Sequence, residues 1–280
     1  MPLTEKETKI YQEILEWQNR LDQYEYNEME LTIDKYLDQT FSMLPDHFQQ
    51  QFYTSLDSWL FHLHALVQGS QWQFDAKERI LSAGRVFRTD IITVPQLQSL
   101  SIDQLQFIAN QQISRHRVYS LVQGGLSGTG KPMLLLGDLP AITIINLRVV
   151  QLIAMTYGFE VSSPFEMMTS LKVFHGATLP ARIQKQAWEE LWIDLEQANG
   201  NYFYEGKEEI TDSAWMEQPI KQVIKAIGIL LLKRKTIGTI PLISMAIGAG
   251  TNYQLTKKVT DFAHKYYQMR YLLMKKEQTR

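Results

Sequence analysis

Two stretches of 21 residues constrain this chain more than any other feature: residues 139–159 carry one charge, Arg148, and residues 236–256 carry none. Each has the length of a membrane span, so a fold must take both out of water. A central arginine costs about 2.5–3.5 kcal/mol on insertion scales, and the first stretch also holds Asn146 and Gln151. It is expected to be a buried core helix. The second contains Gly238, Pro241, Gly248 and Gly250 and is fenced by Lys233-Arg234-Lys235 and Lys257-Lys258. Its spacings Ser244 to Gly248 and Ala246 to Gly250 let helix backbones approach closely. A packed hairpin in a helical core is expected, with contact at a membrane surface as the alternative.

The rest of the chain reads as helix. Thr4 and Glu7 form a capping box ahead of Ile10, Ile14, Trp17 and Leu21 at helical spacing. A second helix is expected from Pro45 through Trp59, Leu63 and Leu66 to Gly69. Ser101 and Gln104 cap a third, which Gly124-Gly125 is expected to stop, and residues 180–198 form an amphipathic fourth. From Asn252, Leu255, Val259, Phe262, Tyr266 and Leu273 share one side of a last helix. Residues 87–94 alone read faintly as extended. There is no repeat, low-complexity tract or linker, and 280 residues suffice for one large domain with a real core. The expectation is a single all-α multi-helix domain over residues 1–280, with a buried helical hairpin at 220–275.

The sequence has no cysteine, which excludes disulfides and thiolate metal sites. The first residues, MPLTEKETKIYQEILEW, lack an apolar signal core, so a cytoplasmic address is expected. A net charge of −2 conceals a gradient: residues 1–80 hold 14 acids against 6 bases, residues 221–280 hold 12 bases against 2 acids. The basic end suits internal pairing or an anionic partner, an anionic membrane surface among them, with Lys233, Arg234, Lys235, Lys257 and Lys258 as the contact residues. No interleaving of bases with aromatics points to nucleic acid.

Several motifs imitate chemistry. Residues 125–131, GLSGTGK, satisfy the first seven positions of a phosphate-binding loop, but Pro132 stands where a magnesium-binding hydroxyl belongs, and the preceding residues are helical in pattern rather than a strand. A flexible connection between helices is expected instead. His62 and His64 point apart on a helix and cannot share a metal, and all six histidines are expected at the surface or half-buried. Glu189-Glu190 decorate a helix face, Glu208-Glu209 a loop, and Glu160 and Glu166 form no evident catalytic pair. Neither catalytic residues, a metal nor a cofactor is expected. Asp138 before Leu139-Pro140 suits a helix N-cap. Arg148 and Gln151 lie on one helix face, where a buried arginine needs an acceptor such as Asp138, Glu166 or a helix C-terminus.

From about Val118 onward the chain resembles the EcsC family of bacterial proteins. The resemblance rests on the glycine-rich segment 124–130, Asp138-Leu139-Pro140, the helix with Arg148 ending Ile153-Ala154-Met155-Thr156-Tyr157-Gly158, then Pro164 and Glu166. Its second block is Ile240-Pro241-Leu242-Ile243 with Gly248, Gly250 and Asn252-Tyr253. Residues 118–280 are thus read as an EcsC-like core and residues 1–115 as a variable helical part. The resemblance implies a helical fold, and the family takes its name from an operon that also encodes an ABC-type exporter. It carries no catalytic residues, and Lys131-Pro132 departs from its pattern.

These readings predict a non-enzymatic accessory protein at the cytoplasmic membrane face, peripheral to it and beside an ABC-type transporter or other membrane protein. A helical lipid- or small-molecule-binding protein, with a pocket around Asp138, Arg148, Gln151 and Asn252, is the alternative. A nucleotide-dependent enzyme using residues 125–131 comes last.

Overall fold

The computed structural model of the protein describes residues 3–23, 58, 62–127, 132–179, 181–197 and 241–277. Among them the regular elements are α1 (Glu5–Asp22), α2 (Gln71–Phe87), a 3-10 turn (Pro95–Ser99), α3 (Ile102–Ser127), α4 (Pro132–Thr156), α5 (Pro164–Thr178), α6 (Ala181–Gln197) and α7 (Pro241–Glu277). Residues 62–68 form a further helical piece that closes at Gly69, where that helix was expected to end. All regular structure among the described residues is helical. Residues 87–94, expected to be extended, instead close α2 and lead by a short loop into the 3-10 turn.

Two caps drawn from the sequence, at Thr4 and Ser101, appear where they were placed. Thr4 Oγ1 accepts from the Glu7 N–H and Glu7 reaches back to the Thr4 N–H at 2.8 Å. Gln104 Oε1 accepts from the Ser101 N–H at 2.9 Å, and Ser163 caps α5 with Pro164 as its first residue.

Helix α7 is the spine. At 37 residues it is about 55 Å long, and α1, α3, α4, α5 and α6 all pack on it. Its partners fix its register. The Tyr271 hydroxyl donates to the Leu100 carbonyl, Arg117 binds Thr260 and Asp261, the Asn252 amide meets Gln123, and Gly248 touches Gly124. As numbers rise on α3 they fall on α7, so the two run antiparallel along their length. Helix α5 does the same, with Glu166 on Arg270, Gly176 on Phe262 and the Leu179 carbonyl on Lys258. Trp17, Trp188, Trp192, Phe262, Tyr266 and Tyr267 meet ring to ring, at centroid separations of 5.0–6.0 Å, where α1 and α6 cover the spine.

Two expectations change, and a third is described only in part. The glycines at 124 and 125 do not stop α3, which continues to Ser127. A side chain at 124 would strike the Gly248 carbonyl, so the glycine permits a helix crossing rather than a turn. Of the hairpin expected at 220–275, residues 241–275 form one continuous helix with Gly248 and Gly250 inside it, and residues 220–240 lie outside the described residues. Asp138 is not an N-cap. Pro132 begins α4, Asp138 lies within it, and Pro140 sits inside the helix, forfeiting one backbone hydrogen bond.

Candidate functional site

Of the stretch 139–159, the residues to Thr156 do form a core helix: Leu147, Val149, Val150, Leu152, Ile153 and Ala154 are buried. Arg148 and Gln151, one turn apart, both lean on the first turn of α2. The Arg148 Nη2 donates to the Trp72 carbonyl at 2.6 Å, and Gln151 Oε1 accepts from Gln73 Nε2 at 2.9 Å. Arg148 therefore takes neither Asp138 nor Glu166 as its acceptor. Glu166 belongs to Arg270, which grips it with two nitrogens at 2.5 and 2.7 Å while lying 4.0 Å over the Phe159 ring.

Around Arg148 the polar groups are only partly satisfied. Among the described residues its Nε is buried without a hydrogen-bond partner, as are His116 Nε2, Gln151 Nε2, Gln73 Oε1 and Gln112 Oε1. His116 uses its Nδ1 on the Gln112 carbonyl at 2.8 Å, and its ring meets Tyr119 edge to face. Burial, then the charges of Arg148, Arg115 and Arg79, push the His116 pKa down to about 4. Burial first, with Arg79 and Arg115 adding like-charge repulsion, also lowers that of Arg148, against a raising influence from Tyr119 and Asp75. Helix α2 points its N-terminus here, adding positive partial charge. The outcome is a seam of α2, α3 and α4 with surplus positive potential, buried polar atoms in want of partners, and Trp72 and Tyr119 at its solvent edge.

The other candidates separate from it. Asn252 serves a different contact, its amide donating to Gln123 Oε1 at 2.6 Å where α7 crosses α3. Asp138 lies in α4, and Lys233, Arg234 and Lys235 lie outside the described residues. Lys257 is exposed but pairs with Asp261 at 2.9 Å. Lys258 is no membrane-surface lysine. Its ammonium caps the Leu179 carbonyl at the end of α5, and burial lowers its pKa to about 8.

Helix, not strand, precedes Gly125, so the phosphate-loop reading of residues 125–131 fails on its own requirement. The histidines also correct the sequence reading: His64, His116 and His175 are buried rather than surface groups. His64 meets the Ser170 hydroxyl at 3.2 Å in a tight core contact. Glu160 pairs with Lys77 at 2.7 Å, and Gln186 donates to Glu190. No group of three histidine or acidic residues fit for a metal occurs among the described residues. The part of the site that sequence reasoning missed is Trp72, Gln73, Arg79, Gln112, Arg115, His116 and Tyr119. Its one signal in the sequence is that α3 carries apolar residues on the side away from its core stripe.

Fold and site together define an all-helical protein built on a central antiparallel spine, with three arginines that pair with no carboxylate among the described residues grouped at one interhelical seam. The chain belongs to the EcsC protein family, whose family model matches residues 8–272. The match includes residues 8–115, to which the sequence resemblance did not extend. No curated protein and no solved structure matches the chain.

Proposed function

We propose that the protein is a non-enzymatic accessory protein acting at the cytoplasmic face of a membrane, beside an ABC-type transporter. The observation that carries the reading is the grouping of Arg79, Arg115 and Arg148 beside exposed Trp72 and Tyr119, a surface suited to binding. The carboxylates nearest to a catalytic pattern are engaged elsewhere, Glu160 by Lys77 and Glu166 by Arg270. No helix among the described residues is long and apolar enough to cross a membrane, which fits attachment rather than insertion. The transporter enters through the family resemblance and its operon. Affinity purification of the tagged full chain from solubilised membranes tests this: transporter subunits are expected to co-purify, and a chain wholly in the supernatant without them refutes it.

A second reading, a helical lipid- or small-molecule-binding protein, is favoured by the unpartnered atoms of Arg148, His116 and Gln151. A ligand supplying those partners at a hundred times its Kd stabilises the fold by about 2.7 kcal/mol. A thermal-shift screen of metabolites and lipids without a hit argues against it.

A further inference from the structure

We propose that the face formed by the start of α2, the outer row of α3 and Arg148 docks on an anionic phospholipid bilayer. In that pose Arg79, Arg115 and Arg148 meet headgroup phosphates while Trp72, Val118, Tyr119, Val122 and Leu126 enter the interfacial layer. The inference rests on the membrane-face reading above and specifies which surface makes the contact.

Charge comes first. Arg85, Arg88, Arg117 and Arg270 each hold a carboxylate within 2.5–2.7 Å. Arg79, Arg115 and Arg148 make no such pair among the described residues, although they lie close enough for their charges to act on one another and on His116. Asp75 opposes them, but it is exposed and already accepts from Gln71 at 3.0 Å. The N-terminus of α2 adds to the same field. A protein of net charge −2 thus keeps three unneutralised guanidiniums together, and Arg148 retains a buried Nε with nothing to donate to. An anion with several acceptor oxygens offers partners to the outward guanidinium nitrogens, and phosphate matches the guanidinium fork.

The apolar flank makes a bilayer the fitting source of that phosphate. At 3.6 residues per turn, Arg115, Val118, Tyr119, Val122 and Leu126 fall within about 100° of the circumference of α3. The opposite side carries Gly124 and Ser120 into the core. All five face solvent, Leu126 at 62% exposure, and Trp72 beside Arg148 is 71% exposed. A free phosphate or nucleotide has no use for a valine–leucine row, and aliphatic side chains do not stack on bases. A basic cluster flanked by Trp, Tyr and aliphatics is the composition of an interfacial contact.

Flotation of the full chain with phosphatidylcholine vesicles, with and without phosphatidylglycerol, tests the inference at low salt. Arg79 and Arg115 are exposed and make no bond that folding needs, so Arg79→Gln with Arg115→Gln is the informative pair. The wild type is expected to float with anionic vesicles only and to be released by salt. The paired substitution is expected to weaken partitioning by about 30-fold, Leu126→Gln to weaken it independently, and Lys257→Gln to leave it unchanged. Flotation that survives both the arginine pair and Leu126→Gln overturns the proposal. So does a chain that ignores protein-free vesicles yet sediments with native membranes, which leaves the accessory-protein reading standing on a protein partner. Thermal stabilisation by inorganic phosphate without vesicle binding assigns the arginines to a soluble anion and also overturns it. A chain that binds neither vesicles nor native membranes removes both readings.

Discussion

Gly124 and Gly125 are neighbours in sequence, yet the structure predicts opposite outcomes for the same substitution. A methyl group on Gly124 would sit 2.3 Å from the Gly248 carbonyl oxygen and 2.8 Å from the Asn252 amide nitrogen. The first distance is roughly 1 Å short of ordinary contact, and the obstacle is helix backbone, which cannot swing aside. Gly124→Ala must therefore push α3 from α7 and disturb the Asn252–Gln123 bond, at about 1–3 kcal/mol for overpacking. Against this stands a gain of up to about 1 kcal/mol from replacing a helical glycine. With the full gain subtracted the balance is a loss of up to about 2 kcal/mol, or up to about 3 °C in Tm for a chain of this size. At Gly125 the added methyl would meet only the Ala249 Cβ, at 3.8 Å, an ordinary contact. Gly125→Ala keeps the propensity gain without the clash and is expected to raise Tm slightly. Thermal melts followed by circular dichroism decide the matter. If Gly124→Ala is as stable as the wild type, the close approach of α3 and α7 is wrong. If both variants fall together, both glycines are needed for a turn, as the sequence alone suggested.

Further outcomes follow from the buried polar groups. Glu166→Gln leaves the Arg270 guanidinium buried against Phe159 without its carboxylate and is expected to cost about 3–5 kcal/mol in urea unfolding. Lys257→Gln, removing an exposed pair, should change stability by less than about 0.5 kcal/mol; equal effects would contradict the burial of the Arg270 pair. Burial pushes the pKa values of His64, His116 and His175 down to about 4. Below the unfolded value near 6.5 the unfolded chain binds protons that the folded one refuses. Stability should thus be independent of these groups above about pH 6.5 and fall as pH drops towards 4, each contributing a slope of about 1.4 kcal/mol per pH unit. His116→Gln should flatten that dependence, and an unchanged slope would count against its burial. Thr4→Ala removes the α1 cap and should cost about 1 kcal/mol by the same melts.

What was legible in the sequence was local. The Thr4–Glu7 and Ser101–Gln104 caps depend on residues three apart, and both occur in the structure. The burial of residues 139–159 followed from periodicity and composition, and Arg148 and Gln151 do lie together at the seam. What was not legible depends on partners far along the chain. No pattern near Arg148 announces the Trp72 carbonyl, 76 positions away, and none near Glu166 announces Arg270, 104 positions away. A glycine that ends a helix and one that admits a neighbouring backbone are the same letter, so α3 was expected to stop short. Lys258 had the composition of a surface base, and its role at the end of α5 emerged only when α5 and α7 were laid side by side.

The spine explains why the seam, rather than the conspicuous C-terminal half, is the place to look for function. Helix α7 spends its polar groups on packing: Asn252 on Gln123, Thr260 and Asp261 on Arg117, Arg270 on Glu166, and Lys275 on the buried Glu7. Glu7, despite burial that would raise its pKa, is held below the usual carboxylate range by Lys275 and Thr4, which shows how completely that charge is engaged. Substitutions there are felt first as lost stability. Across α2, α3 and α4, three guanidiniums have no carboxylate among the described residues, and buried amide and imidazole atoms have no partner among them. A fold that leaves three guanidiniums without carboxylates at one place, while Lys257, Arg270 and Lys275 of its central helix are paired, can gain electrostatic free energy there on binding. Neutralising Arg79 and Arg115 should therefore relieve repulsion and leave the free protein as stable or slightly more so, while weakening membrane binding. Loss of both stability and binding in that variant would mean that the arginines hold the fold together and that the seam is packing after all.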